Sequence, residues 1–228
     1  MSVHDRTNVR TLTPEQIGKC IDTVGVGFMY APSHHPATKA ASGPRLEIGI
    51  RTVFNILGPL VNPAGATRQL VGVFHPDLCP VVAQALGELG CDKAFVVHGM
   101  DGGDEISNIG PTRMAQLLNQ RVHTETRIPS EFHVVPARLE DIAGADSSEE
   151  NAEIVRSVLK GEHGPRRDVV CINACAGLIL AGVAEGWRDG LSLAQRSIDG
   201  GKANVVLDRL IDFTQKCAEA KAATATEA

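Results

Sequence analysis

The apolar positions of this chain change their spacing about halfway along. Up to residue 127 they form short runs cut by Gly and Pro; from Asn151 onward they recur every three or four residues. Within the first regime, "TPEQIGKCID" predicts a helix, with Thr13 as N-cap, Pro14 at the first helical position and Gln16 completing a capping box. "VGVGFMYAP" predicts a short buried strand closed by Pro32, and "HPATKAASGPRLEIG" a partial helix broken at Gly43–Pro44. "RTVFNILGPLVNPAG" predicts a compact apolar turn of helix followed by a Pro/Gly loop. "QLVGVFHP", then a helix over 77–89, then the strand "KAFVVHG" make a strand–helix–strand order that points to parallel pairing. "TRMAQLLNQRVHTETRI" predicts two strands around an Asn119–Gln120 turn at an antiparallel edge. In the second regime the predicted helices cover 152–159, 168–184, 186–198 and 203–217.

No internal repeat and no long linker divides the chain. The expectation is one α/β domain over 1–217, a mostly parallel sheet flanked by helices, and a frayed tail over 218–228, where "AEAKAATATEA" is low in complexity.

Composition narrows the function classes. The 228 residues are 43% hydrophobic and 21% charged, with 23 glycines and only 4% aromatics, which suits a globular α/β domain with tight joints. The net charge is −5 and no Lys/Arg block occurs, which argues against a nucleic-acid surface. Six cysteines contain no C-x-x-C pair, so zinc-ribbon spacing is absent and buried thiols in a reducing compartment are expected. Cys171 and Cys175, four apart, could share a helix face. "MSVHDRTNVRTLTPEQ" has no apolar leader core, and "VVCINACAGLILAGVA" is too short and too rich in small residues to span a bilayer. A cytoplasmic location is expected, with no membrane and no nucleic-acid partner.

Three stretches carry candidate chemistry. "AFVVHGMDGGDEISNIGPT" places the adjacent carboxylates Asp104 and Glu105 on a Gly-rich loop after a predicted buried strand. Ligands of parallel-sheet enzymes bind beyond the carboxyl ends of strands. Mg²⁺ takes oxygen ligands, keeps waters and shares phosphate oxygens, so two carboxylates can hold it. The offsets do not fit a calcium-binding EF-hand, and taken alone a solvated turn accounts for the pair better than a metal site. "SHHPATKAASGPR" sets His34 and His35 ten or so residues before Arg45. Arg45 offers a planar fork for a carboxylate with a histidine beside it, against a surface ion pair as the plainer reading. In "RTVFNILGPLVNPAG", Asn55, Gly58, Asn62 and Gly65 allow close backbone approach to a ligand or ordinary tight turns.

Taken together, "GVGFMYAPSHHPA", "RLEIGIRTVFNILGPLVNPAG", "VVHGMDGGDEIS", "GPTR" and "GPRRDVVCINAC" resemble the anthranilate phosphoribosyltransferase family, in family order from about Thr13 to about Leu210. The resemblance implies transfer of a 5-phosphoribosyl group from phosphoribosyl pyrophosphate to the amino group of anthranilate, in tryptophan biosynthesis. It implies Mg²⁺ as cofactor, held at the pyrophosphate by Asp104 and Glu105. It implies Arg45 on the anthranilate carboxylate and His35 lining the anthranilate site. No catalytic acid or base is assigned. The family pattern also includes an N-terminal helical domain, a Gly-Thr-Gly-Gly-Asp pyrophosphate loop and a Lys-His-Gly-Asn segment, and neither string occurs in these residues. The expectation is therefore a chain nearly inactive alone, the C-terminal half of a split enzyme or the product of a truncated or misassigned frame. A separately encoded N-terminal half is the expected partner, and the family's homodimer, built through the helical domain, is not carried over. A pyrimidine nucleoside phosphorylase-like enzyme and a non-catalytic family fragment are the competing readings.

In whatever assembly is active, Arg45→Ala is expected to weaken the use of anthranilate and to spare the pyrophosphate side. Steady-state kinetics with each substrate varied separately checks this; normal anthranilate kinetics would remove Arg45 from the site.

Overall fold

The computed structural model describes residues 12–30, 34 and 54–226. Arg45, His35 and the predicted break at Gly43–Pro44 lie outside them. In chain order the elements are α1 (Pro14–Val24), α2 (Phe54–Leu60), β1 (Arg68–Gly72), α3 (Leu78–Glu88), β2 (Lys93–Gly99), β3 (Thr112–Leu118), β4 (Arg121–Arg127), α4 (Leu139–Ile142), α5 (Ser148–Leu159), α6 (Pro165–Ala181), α7 (Trp187–Asp199) and α8 (Lys202–Thr226). The described residues fall into two compact units, one of 12–30, 34, 144–161 and 198–226, the other of 54–143 and 162–197.

The first unit is helical. At the start of α1 the Thr13 hydroxyl accepts from the Gln16 N–H at 3.3 Å, and the Gln16 side chain accepts from the Thr13 N–H at 2.9 Å. This is the predicted capping box, which satisfies two of the donors that a helix start leaves open. Ile17 and Cys20 form the buried face of α1, which packs against α8. Arg156 of α5 reaches Asp208 of α8 at 3.8 Å. Helix α8 continues through 218–226, the stretch expected to fray. The strand expected from "VGVGFMYAP" is absent over 25–30. Gly25 ends α1 in the left-handed region at φ 92°, which only glycine adopts cheaply, and Val26 and Phe28 are then exposed by 39% and 42%. No strand lies among the described residues of this unit, and a strand needs a second strand to complete its ladder.

The second unit holds a four-stranded sheet of order β1-β2-β3-β4. β1 pairs with β2 in parallel, β2 with β3 and β3 with β4 antiparallel, so the described sheet is mixed and keeps helices on both faces. Asn119 and Gln120 at the β3–β4 joint have φ of 52° and 59°, the turn whose twist matches paired strands. All of 94–99 in β2 is buried, as befits a strand covered on both sides. On one face Ala94, Val96, Ala115 and Leu117 pack with Val82, Ala83 and Leu86 of α3. On the other, Phe95 stacks on Trp187 at 5.9 Å between centroids, and Phe132 meets the same indole edge-on at 4.7 Å. Helix α6 lies against β1 and β2. It opens on Pro165 and stops at the left-handed Gly182, where the Arg68 guanidinium donates to the Ala181 carbonyl near the negative end of the helix. All six cysteines are free, five of them buried. Among the described residues no helix is long and apolar enough to cross a membrane.

Thr13→Ala is expected to cost about 1 kcal/mol of stability, and Thr13→Ser almost nothing. Thermal melts of the two variants check this, and equal melting points would show that the cap contributes nothing.

Candidate functional site

Parallel pairing puts the carboxyl ends of β1 and β2 at the same edge of the sheet. The segment 100–111 leaves β2 there and re-enters as β3, where Thr112 pairs with Gly99. Its first turn is closed by Gly102 N–H donating to Gly99 O at 2.8 Å and by Gly99 N–H donating to Gly103 O at 2.8 Å. Met100 N–H donates to Pro111 O at 2.8 Å and closes its base.

Two contacts place the acidic pair. Gly72, the last residue of β1, lies under the backbone of Asp104: a Cβ built there would sit 1.6 Å from the Asp104 carbonyl oxygen. No other residue type leaves room for that approach. On the other side the Asn173 side chain of α6 accepts from Ile106 N–H at 3.0 Å and donates to Ile106 O and to Val169 O, both at 2.9 Å. Further along, the Ser107 hydroxyl accepts from the Ile109 N–H at 2.9 Å, and the fully buried Asn108 donates its amide to Pro165 O at 2.8 Å. The start of α6 therefore stands at the acidic edge of the sheet. Just beyond β1, Val73 N–H donates to Val97 O at 2.9 Å, and Val73 O accepts from the buried His98 ring at 2.8 Å. A carbonyl can only accept, so His98 carries its proton on Nδ1.

Asp104 and Glu105 both reach solvent, though the loop packed around Glu105 takes away part of its hydration. Partial burial pushes the Glu105 carboxyl above its ordinary range, and the negative charges of Asp104 and Asp101 push it further the same way. The folded chain thus holds this proton to higher pH than the unfolded chain, so ionising Glu105 costs stability as pH rises through that window. A bound cation would remove the cost. Among the described residues no group of three or more His, Cys, Asp or Glu could hold a metal. Two hard carboxylates on a pinned loop do fit Mg²⁺, whose remaining positions go to water and phosphate oxygens. Beside them a cleft of about 230 Å³ is lined by Ile56, Pro59, Val73, Phe74, Leu78 and Asp104. It combines apolar walls with one carboxylate.

The fold thus joins the acidic loop to the "NILGPL" segment, two of the stretches singled out in the sequence. Asn62 and Gly65 read as turn formers: the Asn62 side chain accepts from Ala64 N–H at 3.0 Å, and Gly65 has φ 59°. A Cβ at Gly58 would meet nothing within 4 Å among the described residues, and the Asn55 side chain lies outside them. The reading of the sequence missed Gly72, His98 and Asn173. Of these only Asn173 leaves a signal, a lone carboxamide inside the apolar run "VVCINACAGLIL".

The chain matches the model of the glycosyl transferase family, a/b domain, over residues 6–204. The anthranilate phosphoribosyltransferase of Symbiobacterium thermophilum is 49% identical over 205 residues, which cover 90% of this chain and 60% of that protein. The crystal structure of anthranilate phosphoribosyltransferase from Thermus thermophilus superposes with a TM-score of 0.83 at 36% identity, over 92% of this chain and 64% of that one. The Saccharomyces cerevisiae enzyme in complex with PRPP and Mg superposes with a TM-score of 0.81 at 28% identity, over 92% of this chain and 60% of that one. This chain spans about 60% of the length of the curated relatives it matches.

Gly72→Ala is expected to cost about 1–3 kcal/mol and to displace the loop from the end of β1, because backbone rather than a flexible side chain blocks the new methyl group. Thermal melts and amide exchange over 100–111 check this; unchanged values in both would mean the loop does not depend on that approach.

Proposed function

Since the chain belongs to the glycosyl transferase family through its a/b domain, we propose that it carries the phosphoribosyl-transfer chemistry of an anthranilate phosphoribosyltransferase. The observation that carries this reading is the 49% identity to a protein of that name across 90% of the chain. The bond between the anomeric carbon and pyrophosphate breaks, the bond from that carbon to the anthranilate nitrogen forms, and the amine gives up a proton. The products are N-(5-phosphoribosyl)anthranilate and pyrophosphate.

Each assigned residue has a physical task. Asp104 and Glu105 hold Mg²⁺ at the pyrophosphate, on a loop whose backbone is fixed at both ends of the pair. When bound, the ion neutralises the charge that builds on the leaving group. Arg45 grips the carboxylate of anthranilate in its planar fork and His35 flanks the ring, which aims the neighbouring amine at the anomeric carbon. An aromatic amine is already an unprotonated nucleophile at neutral pH, so orientation can replace a strong protein base. The cleft beside Asp104 supplies an apolar wall at the edge of the charged site.

The remaining length of the relatives lies outside the match. We assign to it the rest of the pyrophosphate grip, on the same protein or on a separate N-terminal partner, and the oligomeric state goes with it. Six free thiols suit a reducing, cytoplasmic setting.

Asp104→Asn combined with Glu105→Gln is expected to raise the Mg²⁺ concentration needed for half-maximal turnover by about tenfold or more, equivalent to roughly 1.4 kcal/mol. Mg²⁺ titration of phosphoribosyl transfer, in the assembly that turns over, checks this. An unchanged Mg²⁺ requirement would remove the pair from the site.

A further inference from the structure

We infer that Asn173 is a positioning residue for the acidic pair: from α6 it fixes the backbone beside Glu105, so that both carboxylates are already in place when a divalent cation arrives. The inference rests on the reading of Asp104 and Glu105 as metal ligands.

The geometry is specific. Asn173 spends its carboxamide as a peptide group would. Its oxygen takes the Ile106 N–H at 3.0 Å, and its nitrogen gives to the Ile106 carbonyl at 2.9 Å. The second amide hydrogen goes to Val169 O, one turn back on its own helix, at 2.9 Å, and so fixes the direction of the side chain. Both backbone groups of the residue after Glu105 are thereby tied to a helix interior 67 positions further along the chain. On the near side, the carbonyl of Asp104 rests on Gly72. Asp104 is thus held at its own carbonyl, and Glu105 is the single residue between the two pins.

With the backbone fixed at both ends, the two carboxylates can separate only by turning their side chains, not by moving the chain that carries them. The cost of this arrangement is met on folding, and cation binding then needs little reorganisation. Asn suits this task better than its neighbours in chemistry. Asp lacks both donors and would add a negative charge beside the pair. Gln carries an extra methylene and would sit out of register with Ile106. Groups that orient metal-binding side chains commonly change affinity by about 10–100-fold when removed.

The test uses the full chain with Mn²⁺ and inorganic pyrophosphate as probes, and reads bound Mn²⁺ by loss of the free-ion electron paramagnetic resonance signal. Asn173→Ala is expected to weaken Mn²⁺ binding by about tenfold. Ile172→Val, which trims a buried methyl group on the same helix, is expected to leave Mn²⁺ affinity unchanged even where it lowers the melting point. If Asn173→Ala does not fold, Asn173→Ser takes its place. Its hydroxyl can still serve the Val169 carbonyl but is too short to bridge both groups of Ile106, so the same loss is expected. Wild-type Mn²⁺ affinity in a folded Asn173 variant, while Asp104→Asn with Glu105→Gln binds poorly, would overturn the positioning role alone. Wild-type affinity in the acidic double variant would instead overturn the metal reading, and this inference with it.

Discussion

Because β1 and β2 run parallel, the chain must cross the sheet between them, and most of the second unit follows from that requirement. The crossover is α3, whose apolar side closes one face over Val96 and Leu117. The same pairing brings the last residues of both strands to one edge, which is where Gly72 can meet Asp104. Had β1 run the other way, its first residue would lie at that edge and the acidic loop would have no floor. With one face taken by α3, the opposite face is left to α6 and Trp187. Covered from both sides, β2 becomes the buried axis from which the loop departs.

The polar groups at that edge are arranged as struts rather than as a free surface. Asn173, Asn108, Ser107 and His98 each spend hydrogen-bonding capacity on backbone atoms of the loop, of the start of α6 or of the segment beyond β1. The two carboxylates beside them stay exposed. The edge therefore combines an ordered backbone with two adjacent exposed negative charges.

Local signals were legible in the sequence and long-range ones were not. The capping box at Thr13–Gln16, the span of β2 and the Asn119–Gln120 turn all depend on residues a few positions apart, and each stands where the pattern put it. The strand expected over 25–30 failed for the opposite reason: pairing needs a neighbour, and an apolar run does not say whether one exists. Residues 218–226 stay helical because Ala, Glu and Lys are good helix formers with no Gly or Pro to stop them. Their monotony masked that. At the candidate site, Asp104 and Glu105 are legible as adjacent carboxylates after a strand, and that placement is what the fold shows. Gly72 and Asn173 are not, because what makes them matter is a contact with residues 32 and 67 positions away.

The lone indole of the chain has an optical consequence. Trp187 stacks on Phe95, meets Phe132 edge-on and has the Arg127 guanidinium 5.8 Å from its ring centre. All four residues belong to the unit that carries the acidic loop. Emission excited at the red edge of the absorption band therefore comes from that unit alone, while far-ultraviolet ellipticity collects the helices of both. Divergence of the two signals during denaturation would be the spectroscopic mark of units that open separately, read without any label.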